Sequence, residues 1–272
     1  MRYLFFAVVL LFISQSADAQ QRRIACGEGL VELHQPQGFQ PASFSAGEVG
    51  IRFIGHSTFL IRSPEDVKIV TDYNPYFRAD VLPDIATMNT DRANHMVPVP
   101  EPGIAYPLYG WDRGEGMPHH DVTYKDVRVY SEPTNIYVMG GRYTNETAIF
   151  VVQTAGLCIA HLGHTAHILD DEMVHQLGQI DIAMTPVDRA VTSSYEEIVH
   201  NIQALHPRIV IPMHTNTGWE TLQFLAYTKD QFKVRNDIGD SITVSREMLP
   251  EDTQIWVLQP RGGGGGGRFG TY

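Results

Sequence analysis

Gln179-Ile-Asp-Ile-Ala-Met-Thr-Pro-Val187, the segment Ser194 to Leu205, and Pro207-Arg-Ile-Val-Ile-Pro-Met-His214 together decide the reading of the fold. Ile180 to Met184 and Ile209 to Pro212 are apolar runs of strand length. Between them, Ser194 to Leu205 reads as a helix with Glu196 and Glu197 in its first turn. Working outward, Asp170 to Leu177 reads as a helix with Asp170 as N-cap, and Trp219 to Tyr227 as another. Ser241 to Val244 and Gln254 to Leu258 read as short closing strands. Towards the N-terminus strands come first: Val49 to Arg62 as a pair broken at Gly55-His56, then Val67 to Thr71 ending at Asp72. Val81 to Met88 leads into a polar loop, and Asp126 to Tyr130, Thr147 to Gln153 and Leu157 to His161 follow as strands. Strands clustered first and a strand–helix alternation after them predict an α/β or α+β domain with a sheet core. Residues 96 to 120 carry prolines and glycines without periodicity, so a long irregular segment, functional or disordered, is expected there.

The two ends are set aside. Met1-Arg2, the apolar run Leu4 to Ile13 and Ala17-Asp18-Ala19 have the form of a secretory signal peptide cleaved before Gln20. The run is shorter than the roughly 20 residues a membrane anchor needs, so an exported, periplasmic or secreted chain with no stable anchor is expected. The tail 261–272 holds six consecutive glycines and is expected to be disordered. Residues 20–48 then form an N-terminal extension and 49–260 a single domain. A net charge of −11 argues against a nucleic-acid partner, since phosphate binding needs a basic face. Cys26 and Cys158 are the two cysteines. An oxidising compartment permits a bridge between them, but Cys158 lies in the apolar strand Gly156-Leu-Cys-Ile-Ala160 and reads as a small buried hydrophobe.

Histidine carries the chemistry. Of twelve, several stand at strand ends: His56, His95 after Asn89-Thr-Asp-Arg-Ala-Asn94, then His161, His164 and His167, and His214. Ligands bind at strand ends in open α/β sheets, and imidazole is a common transition-metal ligand. A lone strand-end histidine is more often structural. His119-His120 read as solvated loop residues, and His34, His175, His200 and His206 as surface positions.

Ile51-Arg-Phe-Ile-Gly-His-Ser-Thr-Phe-Leu-Ile61 followed by Lys68-Ile-Val-Thr-Asp72 resembles the opening of a metallo-β-lactamase superfamily domain. Thr144-Asn-Glu-Thr-Ala-Ile-Phe150, Gly156-Leu-Cys-Ile-Ala-His-Leu-Gly163 and the segments ending at Val187 and His214 follow the same family. The branch resembled includes L-ascorbate-6-phosphate lactonase and N-acylphosphatidylethanolamine phospholipase D. The resemblance covers roughly residues 49 to 215 and implies an αββα sandwich of two mixed sheets flanked by helices. It also implies a site at the rim built from His-x-His-x-Asp-His, a further His, a bridging Asp and a last His. Here the first motif falls on Asn89-Thr-Asp91-Arg-Ala93-Asn94-His95. No histidine stands near Pro133-Thr134-Asn135, where the further one is expected, and the bridging Asp is His164. His214 alone stands in place without adjustment.

Asp91, His95, His164 and His214 are therefore the candidate metal ligands, for one zinc rather than two, with manganese an alternative. His56 is the candidate catalytic residue, orienting substrate, and His161 stands behind the ligands. The favoured function is a metal-dependent hydrolase that attacks a small-molecule ester, lactone, amide or phosphodiester with a metal-activated water. The alternative is a metal-free, non-catalytic binding module that keeps the fold.

Overall fold

In the computed structural model of the chain, the described residues are Cys26, Ser45, 47–138, 141–189, 191–215 and 217–260. The expected signal peptide, nearly all of the extension, and the glycine tail lie outside them. The elements run in order as β1 (Val49–Gly55), β2 (Thr58–Arg62), β3 (Lys68–Val70), β4 (Ile85–Met88) and β5 (Tyr106–Tyr109). Next come β6 (Asp121–Tyr124), β7 (Val127–Val138), β8 (Gly141–Thr154), β9 (Leu157–His161) and α1 (Asp171–Leu177). Then follow β10 (Ile182–Pro186), α2 (Tyr195–Leu205), β11 (Ile209–Met213), α3 (Trp219–Thr228), β12 (Lys233–Arg235), β13 (Ser241–Val244) and β14 (Gln254–Trp256). They make a six-stranded sheet, β13-β1-β2-β3-β4-β5, and an eight-stranded sheet, β12-β14-β11-β10-β9-β8-β7-β6. Each mixes parallel and antiparallel pairs. β9, β10 and β11 run parallel, with Ile182 level with Ile159 and Ile209, and β3, β4 and β5 are parallel likewise.

The period-2 alternation of a strand explains the layers. Val49, Ile51 and Phe53 of β1 share one buried cluster with Phe150 and Val152 of β8, Ile159 of β9, Met184 of β10 and Ile211 of β11, which is the core between the sheets. The intervening residues face outward: Ile149 and Val151 meet Leu177 and the flank of α1. Val210 and Ile255 meet Tyr195, Ile198 and Ile202 of α2 and Phe224 of α3. Burying each such side chain contributes about 1.5–3 kcal/mol relative to leaving it in water. The expected two-sheet sandwich is present. On the outer face of the six-stranded sheet, however, Leu60, Val70 and Met88 are covered by Tyr73, Val97, Ile104 and Trp111 from irregular segments. The three α-helices of the described residues pack against the larger sheet.

Helix starts follow the sequence signals. Asp170 accepts from the Met173 amide at 2.9 Å, and Ser194 and Glu197 exchange side-chain-to-backbone bonds as a capping box. Three features depart from the sequence reading. Residues 96 to 120 are not wholly irregular, because Tyr106-Pro-Leu-Tyr109 pairs with β4 at the sheet edge, where a proline is tolerated. β7 and β8 form a hairpin much longer than the apolar runs within it. Its polar far end has exposed Asn145 and Glu146 and carries no alternation to read.

The third departure corrects the reading of the cysteines. Cys26 and Cys158 form a disulfide with a Cα–Cα distance of 6.1 Å. Cys158 is buried as expected, but on the outer face of β9, and Cys26 reaches that face from the extension. The amide of Cys26 donates to Tyr130 Oη at 3.1 Å, and its carbonyl accepts from the Gln179 amide at 3.0 Å. A separation of 132 residues leaves no local sequence pattern for such a pairing.

Candidate metal centre

The C-terminal ends of parallel strands from both sheets meet at one rim. β3 delivers Asp72, β4 is followed by Asn89 and His95, β9 ends at His161 with His164 just beyond, β10 is followed by Asp188 and β11 by His214. His56 comes from the turn after β1. The His214 amide donates to the His56 carbonyl at 2.6 Å, which ties the two sheets together at the rim. His56, Asp72 and His214 all have positive φ, of 52°, 44° and 63°. Non-glycine residues in that region cost about 1–3 kcal/mol each and persist only where surrounding structure imposes them.

His95 and His214 stack at 5.0 Å, with their Nε2 atoms 3.1 Å apart, and His164 Nδ1 lies 2.8 Å from the same His214 Nε2. His56, His95 and His214 can each offer a ring nitrogen within 4.8 Å of the others. Behind this cluster stand two carboxylates. Asp72, fully buried, accepts from His95 Nδ1 at 2.6 Å and from the Asn89 amide at 3.2 Å. Asp188 Oδ2 lies 3.1 Å from His214 Nδ1, although that N–H is not aimed straight at it, so the contact is electrostatic more than a directed hydrogen bond. His161 donates or accepts at Nε2 with the Ser57 carbonyl, 2.8 Å away; since a carbonyl only accepts, Nε2 carries the proton.

The electrostatics follow from burial. Burial would push Asp72 up, but the imidazoles of His95 and His161 and hydrogen bonds from His95 and Ser57 outweigh it and hold the carboxyl at about 2. Burial likewise opposes the Asp188 carboxylate, and His214, Thr192 and His164 together bring it below the usual range. His56 is lowered to about 3, first by burial and then by His214 and His95. His164 is lowered to about 2 by burial, His214, His95 and Arg92. Both rings are therefore neutral near pH 7, with lone pairs free to bind.

This donor set fits a metal ion. A carboxylate facing Nδ1 of His95, and another beside Nδ1 of His214, each favour the tautomer with its lone pair at Nε2. Those two lone pairs then face one another at 3.1 Å, an arrangement that is repulsive without a positive charge between them. Nitrogens 2.0–2.1 Å from a shared tetrahedral zinc are about 3.3 Å apart, close to the spacings seen.

The structure thus brings His95, His164 and His214 together, with His56 alongside. It does not bring in Asp91, which is exposed on the loop before His95. That loop bends at 91–95, with the His95 amide bonded to the Arg92 carbonyl, and turns His95 inward while leaving Asp91 in solvent. Asn89 is buried and spends its side-chain amide on the Ala148 carbonyl at 2.6 Å. Asn94 Nδ2 lies 3.2 Å from His56 Nε2. The sequence reading missed Asp72 and Asp188 as members of the site. Each is an acid directly after an apolar strand at the histidine-bearing rim, which was the available signal.

Comparisons with known proteins show the family and the fold. A family model described as the β-lactamase superfamily domain matches residues 50–214. The chain belongs to that superfamily. A protein of Pyrobaculum arsenaticum, named a metal-dependent hydrolase, is 40% identical over 111 residues, covering 41% of this chain and 43% of its own length. One of Pyrococcus furiosus with the same naming is 32% identical over 147 residues, 53% of this chain and 58% of its own. The chain thus spans about half the length of these curated relatives. A metallo-β-lactamase superfamily protein of Thermotoga maritima is similar in structure, with a TM-score of 0.58 at 22% identity. The likeness covers 77% of this chain and 98% of that one, and supports the superfamily fold.

Proposed function

We propose that this superfamily member is a metal-dependent hydrolase holding one divalent cation on His95, His164 and His214. The observation that carries it is the meeting of three imidazole nitrogens at the rim with Asp72 and Asp188 behind them. Zinc suits three neutral imidazoles, and manganese is the alternative. When bound, such an ion supplies Lewis-acid polarisation of a carbonyl or phosphoryl group and acidifies water. The chain's own residues do the rest. Asp72 fixes the ring orientation and tautomer of His95, and Asp188 does the same electrostatically for His214. The family resemblance, with one residue inserted, sets Asn94 at the position of the motif's Asp (without the insertion, Ala93), and neither an amide nor a methyl group takes a proton at neutral pH. His56, lowered to about 3, is a poor proton acceptor. Its place between the Asn94 amide and the Ser57 hydroxyl suits it to orient substrate. The substrate in this reading is a small ester, lactone, amide or phosphodiester, and the naming of the relatives supports metal-dependent hydrolysis as such. The Cys26–Cys158 bridge supports an exported protein working in an oxidising compartment.

Metal analysis of chelator-free protein tests the reading, alongside hydrolysis of an ester and lactone panel. Wild type should carry close to one equivalent and His214→Ala almost none, while Asp91→Ala should match wild type. Less than about one-tenth of an equivalent in wild type would instead support the metal-free binding module.

A further inference from the structure

Arg92 stands apart from every other arginine whose side chain is described. Arg52, Arg62, Arg78, Arg128, Arg235 and Arg246 each have a carboxylate within ion-pair distance. Arg113 and Arg189 lie over the rings of Tyr109 and Tyr195, and Arg208 donates to the Pro250 carbonyl. Among the described residues Arg92 has no such side-chain partner, and its Nε is buried without an acceptor. In a chain with 31 acidic and 20 basic residues, an arginine with no acid is not explained by a shortage of acids. It sits three residues before His95, on the loop that turns His95 inward, and near enough to His164 for its charge to be felt there. A half-buried guanidinium on the loop beside the histidine cluster, with an unmet donor, is suited to an oxyanion. Guanidinium–oxyanion hydrogen bonds are among the strong ones and discriminate by geometry.

We propose that Arg92 is an anion anchor at the rim, so that the hydrolysed substrate carries a carboxylate or phosphate group near its scissile bond. This rests on the hydrolase reading for the word substrate, but not for the anion site itself. The test is calorimetric titration of the full folded chain at low salt with inorganic phosphate and, separately, acetate. Wild type, Arg92→Ala and Arg92→Lys are compared, and the bound metal of each preparation is measured. Wild type should bind one of the two anions, and whichever binds more tightly names the group. Arg92→Ala should weaken that binding about tenfold or more with metal content unchanged, and Arg92→Lys should recover part of it, as loss of a charge-assisted contact requires. Equal affinity in wild type and Arg92→Ala overturns the proposal, as does an absence of binding of either anion by wild type. Circular dichroism of both variants separates misfolding from loss of the site. A protein without metal or turnover that still binds phosphate through Arg92 would sink the hydrolase reading and leave the anion site standing.

Discussion

Replacing Asp72 by asparagine keeps the shape of a fully buried side chain while removing one charge and turning one acceptor into a donor. In the native site Oδ1 accepts from the Asn89 amide at 3.2 Å and Oδ2 from His95 Nδ1 at 2.6 Å. Asparagine can satisfy only one of them. If its oxygen faces Asn89, its NH2 faces His95 and forces the lone pair onto Nδ1, so the proton moves to Nε2, the atom that faces His214. If it turns the other way, two N–H groups oppose each other in a dry site. The drop of the Asp72 carboxyl from 3.8 to about 2 corresponds to about 2 kcal/mol of interaction. Loss of such a partner behind a ligating histidine typically lowers metal affinity by about 10–100-fold. Asp72→Asn should therefore melt about 5–10 °C lower, and bind zinc at least tenfold more weakly in competition with a chromogenic chelator. Zinc affinity within about twofold of wild type would refute the argument that this carboxylate sets the His95 tautomer.

Gly163→Ala should fold poorly and lose metal, because Gly163 has a φ of +60° and an added Cβ would lie 2.2 Å from Asn89 Nδ2. Wild-type melting and metal content in that variant would contradict the close approach. Cys26→Ser should cost about 2–5 kcal/mol, the range for removing a native bridge that closes a long loop, read as a lower urea midpoint than wild type. The pH dependence of metal-free protein is set first by histidines: folded His56 at about 3 and His164 at about 2 both lie below 6.5. Between those values the unfolded chain binds protons that the folded chain refuses, so stability is full above about 6.5 and falls as pH drops below it. Asp72 adds its own loss only between 3.8 and about 2. Urea midpoints in chelator that stay level from pH 7 to 5 would contradict this order.

The candidate site was partly legible. His95, His164 and His214 stand out because each follows an apolar strand, and strand ends converge. Asp91 shares the spacing of a ligand with His95, yet a single bend separates an exposed residue from a buried one over four positions. Spacing along an irregular loop carries no period, so nothing in it says which side chain turns inward. Asp72 and Asp188 were hidden for a related reason, since an acid after a strand also caps turns, and only its neighbours in space reveal a partner.

What the sequence determined by itself is local: strands from apolar runs, helix starts from Asp170 and Ser194, and the rim from histidines placed after strands. These depend on interactions within a few residues of one another, which a linear pattern records. The tertiary structure alone decided the rest. It joined Cys26 to Cys158 across 132 residues, covered one sheet with loops rather than helices, set Asp72 behind His95 and left Arg92 without an acid. Each depends on which distant groups meet once water is excluded between two sheets, and burial makes a missing partner or an unpaired lone pair costly enough to direct the chemistry.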